Sequence, residues 1–427
     1  MAAITMPGLI PGLTRIKTLL NVMGNPQDAY PSVHVAGTNG KGSVTLIIAA
    51  VLQHAGYRVG RFTSPHIHSY RERFSINGEN IDAALLKDYL EQIKQDLITI
   101  TEPSFTGVTE FEMLTALAFQ YFKDNQVDIA VLETGMGGLY DSTNVVHPLL
   151  SVITGVDYDH QAYLGNSLEE IAFNKAGIIK PEIPVVVGMM DNAAYRVIEN
   201  IAQKKQAPIY NAENCLVKRH GSPSNSGQTV SIKYADFDIE QVKLSLLGDF
   251  QLNNLAVATT ALMVLKERGY NITAENISQV LPHLHNPSRM EFISYDPPII
   301  LDVAHNPQAA RALKQSLKSV FPDKQGVLVC GILDDKDSRI ILRELGKNCR
   351  ACVITKPESE RGENWLNAAK QWQDLYKNKK LLVKEDIAGA VKAGLDLLKP
   401  GEYLLVAGSF YIMDKARTYL MTNRAEL

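Results

Sequence analysis

The chain has 427 residues and a formal net charge of -3, with 45% hydrophobic and 21% charged residues. Single hydrophobic cores stop growing at roughly 250–300 residues, so this length predicts two domains, and the mixture of apolar and charged residues excludes a disordered or fibrous chain. The nearly balanced charge carries no Lys/Arg stripe of the kind that follows nucleic-acid phosphates, which points to small-molecule substrates and no nucleic acid.

Four cysteines are too few for a disulfide framework in a chain this long, and they suit a reducing compartment. Cys349 and Cys352 form a C-x-x-C, but no second pair or histidine at zinc-ligand spacing accompanies it. The start, MAAITMPGLIPGLTRIKTLL, is weakly apolar without a charged leader or a cleavage site, and no stretch reaches the roughly 18 apolar residues of a membrane span. The expectation is a cytoplasmic monomer with no membrane partner.

In chain order, Ser32–Ala36 reads as a short buried strand that enters a Gly-rich turn, and Val44–Ala55 follows with helical apolar spacing. Tyr57–Thr63 reads as the next strand, Asp82–Ile98 and Glu110–Lys123 as helices, and Val127–Leu132 and Leu150–Thr154 as buried strands. The helices Leu168–Ile178 and Ala193–Lys204 flank a strand at Pro184–Val187. Alternating strands and helices predict an α/β fold with a mostly parallel sheet covered on both faces. Between Ile209 and Leu247 the pattern changes to short alternating segments broken at Gly221–Gly227, the signature of a small antiparallel β insertion. Gln251–Gly269 is a helix closed by Gly269. After Asn286-Pro287-Ser288 a new alternation begins, with strands at Ile299–Val303, Val327–Cys330, Ala351–Thr355, Lys380–Val383 and Tyr403–Ala407. The domains expected are therefore 1–289, with a phosphate-binding loop, and 290–427, a smaller Rossmann-like α/β unit.

Gly37-Thr38-Asn39-Gly40-Lys41-Gly42-Ser43 lies between a buried strand and a helix, the setting a P-loop needs. Its glycines let backbone amides face a polyphosphate, the helix N-terminus adds favourable potential, Lys41 reaches the β and γ phosphates, and Ser43 stands near magnesium. Gly42 separates the lysine from the serine, a departure from the general pattern. Glu133 ends a buried strand, where its carboxylate points from the sheet edge toward the phosphates. Gly135-Met136-Gly137-Gly138 is no dinucleotide fingerprint, because Tyr140 takes the place of the third glycine.

HVAGTNGKGS from His34, TSPHIHSYRERFSING from Thr63, VLETGMGG from Val131, DHQAYLG from Asp159, KAGIIKP from Lys175, LDVAHNP from Leu301 and AGSFY from Ala407 occur in this order. Together they resemble the folylpolyglutamate synthase and dihydrofolate synthase family of the Mur ligase group, nearly end to end. The resemblance implies an ATP-dependent ligase that adds L-glutamate to dihydropteroate or to a reduced folate through an acyl phosphate, with Lys41, Lys175, His160 and Arg289 in catalytic roles. It implies two magnesium ions, held by Ser64, Glu133, His160 and a carbamylated Lys175, since a plain ammonium would repel the metal. It also implies that Arg289, Asp302 and His305 hold ATP, that Asn254 meets adenine, and that His305 and Ser409 receive the glutamate.

Each of these residues has a plainer reading: His160 as a hydrogen-bonded loop histidine, Ser64 as a turn residue, Lys175 as a surface lysine favoured by a helix end, and Asp302 and Ser409 as helix caps. The chain also departs from its relatives. Leu139 stands in GGLYDSTN where an arginine is usual, Pro287-Ser288-Arg289 replaces Pro-Gly-Arg, Tyr70-Arg71-Glu72-Arg73 replaces Phe-Asn-Glu-Arg, and Phe250 replaces the histidine before Gln251. The rival readings are a muramyl-type ligase, disfavoured because only 36 residues precede the loop, and a nucleotide-binding regulatory protein that has lost ligation.

Overall fold

Eight strands form the first sheet of the computed structural model, which describes residues 12–102 and 105–423. Residues 1–11 of the weakly apolar start lie outside that range. The strands are β1 (Ser32–Ala36), β2 (Val59–Phe62), β3 (Phe74–Ile76), β4 (Glu79–Asn80), β5 (Ile129–Glu133), β6 (Leu150–Ile153), β7 (Val185–Val187) and β8 (Ile209–Asn211), in the spatial order β4-β3-β2-β5-β1-β6-β7-β8. All pairs are parallel except β2–β3 and β3–β4. Every residue of β1, β5 and β6 is buried, as expected of parallel strands covered on both faces. One cover buries Ile16, Phe62, Phe119 and Leu132, and the other buries Ile153, Ile171, Val185 and Ile198.

A small sheet follows, with strands β9 (Leu216–Ser224), β10 (Gly227–Tyr234) and β11 (Phe237–Leu244) in that order. Connections of two residues permit only antiparallel pairing. The insertion is thus smaller than the sequence pattern suggested. Ile209–Asn211 joins the main sheet, and most of Gly221–Gly227 is strand, the turn falling at Asn225-Ser226.

The third sheet holds β12 (Glu291–Tyr295), β13 (Pro298–Asp302), β14 (Gly326–Cys330), β15 (Cys349–Ile354), β16 (Lys380–Val383) and β17 (Tyr403–Ala407), in the order β12-β13-β17-β14-β15-β16. Only the edge strand β12 is antiparallel. Its core buries Leu313, Leu328, Trp372 and Tyr403. Cys349 and Cys352 belong to that core as free buried thiols, and burial pushes both well above the ordinary thiol range, so the C-x-x-C is packing.

By contact density the chain falls into two units. One comprises Met1–Lys218, Ser231–Glu240 and Asn253–Leu281, and the other Arg219–Val230, Gln241–Leu252 and Pro282–Leu427. No helix among the described residues is long and apolar enough to cross a membrane.

Candidate active site

The Gly37–Ser43 loop leaves the carboxyl end of β1, between β5 and β6. The helix after it is Lys41–His54, three residues earlier than apolar periodicity places it, because its first turn is Lys-Gly-Ser and carries no apolar signal. Gly40 starts it at φ 86°, in the left-handed region, and a side chain there would run into Asn254 Oδ1. Asn254 therefore lies against the loop itself. Two threonines fix the loop's shape. Thr38 Oγ1 donates to the Asp157 carbonyl at 3.0 Å and accepts from the Asp157 amide at 3.0 Å, while Thr154 Oγ1 donates to the Asn39 carbonyl at 2.6 Å. Lys41 Nζ donates to the carbonyls of Gly37 at 2.9 Å and Thr38 at 3.3 Å. Ser43 is buried in the first turn.

Glu133, the last residue of β5, is buried, and its Oε2 accepts from the Ser64 amide at 3.3 Å. A Cβ built on Gly42 would lie 3.7 Å from the same oxygen. The expected pair Ser64 and Glu133 thus meets beside the first turn of the loop helix. Glu72 keeps the Ser64 loop in order by accepting from the amides of Ile67, His68 and Ser69 at 2.8, 2.9 and 2.9 Å.

Lys175 sits in the last turn of the helix Leu168–Ala176 and is 3% exposed, which removes its reading as a surface lysine. Burial first, and then the Lys41 charge, push its amine down to about 7, against the opposing pull of Asp159 and Asp141. Asp141, which the motifs did not single out, holds the 135–143 loop. It accepts from the Met136 amide at 2.9 Å, the Thr143 amide at 3.1 Å and Thr143 Oγ1 at 2.5 Å, and His34 Nε2 shares Thr143 Oγ1 at 2.7 Å. Leu139 and Tyr140 line a cavity of about 430 Å³ with Leu13, Lys17, His147 and Lys180.

His160 adopts φ 51° at the start of a short helix. Its amide donates to Asp159 Oδ1 at 2.9 Å, and its Nε2 stands 3.9 Å from Asp159 Oδ2. Among the described residues no three His, Cys, Asp or Glu side chains gather as a metal site. A cation here would have to draw on the hydroxyl of Ser64 and on oxygen added to Lys175, and at neutral pH a buried amine held down to about 7 has a substantial share of the neutral form that reacts with carbon dioxide. The residues present fit a hard cation on that condition.

In the C-terminal unit, Asp302 ends β13. Its Oδ2 accepts from the Met290 amide at 2.8 Å and its Oδ1 from the Ala304 amide at 2.9 Å. Burial pushes its carboxyl up to about 6, opposed by Arg289 and by those two amides. It caps no helix, since Asn306 does so through the Ala309 amide at 2.9 Å. Arg289 follows Ser288, which is buried at φ 56° and donates its amide to Glu291 Oε2 at 2.9 Å. Glu291 is anchored in turn by Arg417 Nε, at 3.1 and 3.2 Å. Ser409 is 1% exposed and accepts from the Tyr411 amide at 3.2 Å, so the cap reading describes its hydroxyl in this structure. Phe410, next in the chain, touches both Arg289 and His305.

A parallel sheet with a phosphate loop at its central strand, a strand-end glutamate and a second α/β unit is the arrangement of the Mur ligases. The Mur ligase middle domain matches residues 35–262, and the Mur ligase glutamate ligase domain matches residues 288–410. The dihydrofolate synthase/folylpolyglutamate synthase of Bacillus subtilis is 35% identical over 97% of this chain and 96% of its own length. The folylpolyglutamate synthase of Lacticaseibacillus casei is 41% identical over 96% of this chain and 95% of its own. The Mycobacterium tuberculosis folylpolyglutamate synthase, solved with ADP and AMPPCP, superposes with a TM-score of 0.90 at 30% identity, covering 96% and 95% of the two chains. The chain belongs to the folylpolyglutamate synthase/dihydrofolate synthase family of Mur ligases.

Proposed function

We propose that this chain is an ATP-dependent ligase that joins L-glutamate to dihydropteroate, to reduced folates, or to both. The observation that carries the reading is the buried amine of Lys175 in the field of Lys41, the lysine of the loop that leaves the carboxyl end of β1. A buried amine held down beside a second lysine has no use in packing. They suit a polyphosphate and an anionic form of Lys175.

In the reaction the acid's carboxylate oxygen attacks the γ-phosphorus of ATP and ADP leaves. The glutamate nitrogen then attacks the carbonyl carbon of the acyl phosphate, loses a proton, and expels phosphate. The amides of Gly37, Asn39, Gly40, Gly42 and Ser43 cradle the phosphates, Thr38, whose own amide donates to the Gly155 carbonyl at 2.9 Å, shapes the loop that presents them, and Lys41 neutralises the charge that develops on the transferred group. Asn254 meets the adenine, Arg289, Asp302 and His305 the nucleotide, and His305 and Ser409 the amino acid. Ser64, Glu133, His160 and carbamylated Lys175 would hold magnesium, which when bound neutralises phosphate oxygens. Residues 1–289 carry the phosphate loop and the metal-holding residues, and residues 290–427 the glutamate side together with the nucleotide contacts Asp302 and His305, in a cytoplasmic monomer.

The test is ATP-dependent incorporation of labelled glutamate, with dihydropteroate and tetrahydrofolate in parallel and magnesium present or chelated. Incorporation into one acid names the step, and into both a bifunctional enzyme. Incorporation into neither by folded, ATP-binding protein overturns the substrate assignment.

A further inference from the structure

Arg289 and His305 stand on separate segments of the C-terminal unit, one before β12 and one after β13. Both meet the ring of Phe410, the residue after Ser409. The Arg289 guanidinium carbon lies 4.9 Å from the ring centroid, and the His305 ring lies 5.8 Å away, tilted by 45°. All three side chains are half-buried.

We propose that Phe410 is a positioning residue, the aromatic face that aims Arg289 and His305 at their substrates. The inference rests on the reading of those two residues as substrate contacts given above.

Arg289 needs such support. An arginine carries several rotatable bonds, and an undirected guanidinium at a half-exposed site samples many of them. Asp302 is near enough for its carboxylate to feel the Arg289 charge, but both its oxygens already accept backbone amides. An ion pair would also consume in-plane N–H donors. A ring face takes only the π surface of the guanidinium and leaves those donors directed outward, toward phosphate or carboxylate oxygens. The ring is itself well fixed. It opens the turn Phe410–Ile412, whose preceding Ser409 accepts from the Tyr411 amide, and Ile412 is fully buried.

The experiment is a double-mutant cycle in the full chain, with kcat and KM read for each substrate and the thermal midpoint as a folding control. Phe410→Leu removes the π face and keeps an apolar group, with Phe410→Met as a second variant should leucine not fold. Phe410→Tyr keeps the face. The leucine variant is expected to lose about three- to tenfold in kcat, with KM for the acid unchanged and the loss restored by tyrosine. In an Arg289→Gln background the same substitution should cost less than twofold, because the group it aims is gone. A merely structural role would lower activity equally in both backgrounds. Unchanged kcat in the leucine and methionine variants, alongside a large loss in Arg289→Gln, overturns the proposal alone. Full activity in Arg289→Gln overturns the assignment of Arg289 and this proposal with it.

Discussion

Ser288→Gly is expected to stabilise the C-terminal unit. Ser288 holds φ 56° with its side chain fully buried, and its hydroxyl has no hydrogen-bond partner among the described residues. Its backbone cannot relax, because its amide is held by Glu291 and its carbonyl accepts from the Val303 amide at 3.0 Å. A left-handed non-glycine residue costs about 1 kcal/mol, and a buried hydroxyl without a partner about 1–2 kcal/mol. Against this, glycine adds roughly 0.7 kcal/mol of freedom to the unfolded chain, and the lost contacts cost about 0.5–1 kcal/mol. The balance is about 1 kcal/mol in favour of glycine, a rise of about 2–4 °C in the midpoint for a unit of this size. Differential scanning calorimetry reads the shift. Ser288→Ala separates the contributions, since it discards the hydroxyl but keeps both the backbone cost and the Cβ contacts, and should also gain about 1 kcal/mol, leaving the further step from alanine to glycine nearly neutral. A glycine variant that melts below the wild type would refute the reasoning.

Lys41→Ala should lower kcat by about 10³-fold or more with the melting midpoint unchanged, since the side chain donates to loop carbonyls and is no part of a hydrophobic core. Wild-type turnover would remove the loop from the chemistry. Enzyme prepared free of carbon dioxide should recover activity on adding bicarbonate, and Lys175→Met should be inactive and insensitive to it; intact mass spectrometry reads the adduct directly. Asp302 adds a pH dependence between about 4 and 6. Its folded pKa of about 6 is raised above the ordinary 3.8, so over that window the folded state binds more protons and stability falls as pH rises. Urea titrations of the wild type and Asp302→Asn should diverge across that window by about 2–3 kcal/mol. Parallel profiles would show that Asp302 is ionised throughout.

Much of the first sheet was legible because β1, β5 and β6 are short, mostly apolar runs that end in punctuated loops, and a strand-end Glu133 beside a Gly-Lys-Gly-Ser turn is a local signal. The start of the Lys41–His54 helix was not, since periodicity begins only where Val44 first meets the core. β12 escaped because Glu291–Tyr295 is short, mixed in polarity, and paired only along one edge. The left-handed turn before Arg289 explains why glycine is usual where Ser288 stands, but the orphaned hydroxyl depends on packing from distant segments. Asp141 is linked to His34 through Thr143 and to Lys175 by its charge, and Phe410 meets Arg289 and His305, all across long sequence separations. No spacing rule in a single sequence reports such contacts.

The threonine ties of the phosphate loop bear on the entropy of nucleotide binding. Ordering a free backbone costs about 1 kcal/mol per residue, and a slack seven-residue loop would impose that cost at every binding event. Here Thr38 and Thr154 order the loop when the chain folds, through the exit of the neighbouring strand β6. Affinity for the nucleotide is therefore set partly by Thr154, whose hydroxyl is committed to the loop's own backbone. Drift at that threonine would loosen the grip on ATP while every phosphate-facing group stayed in place.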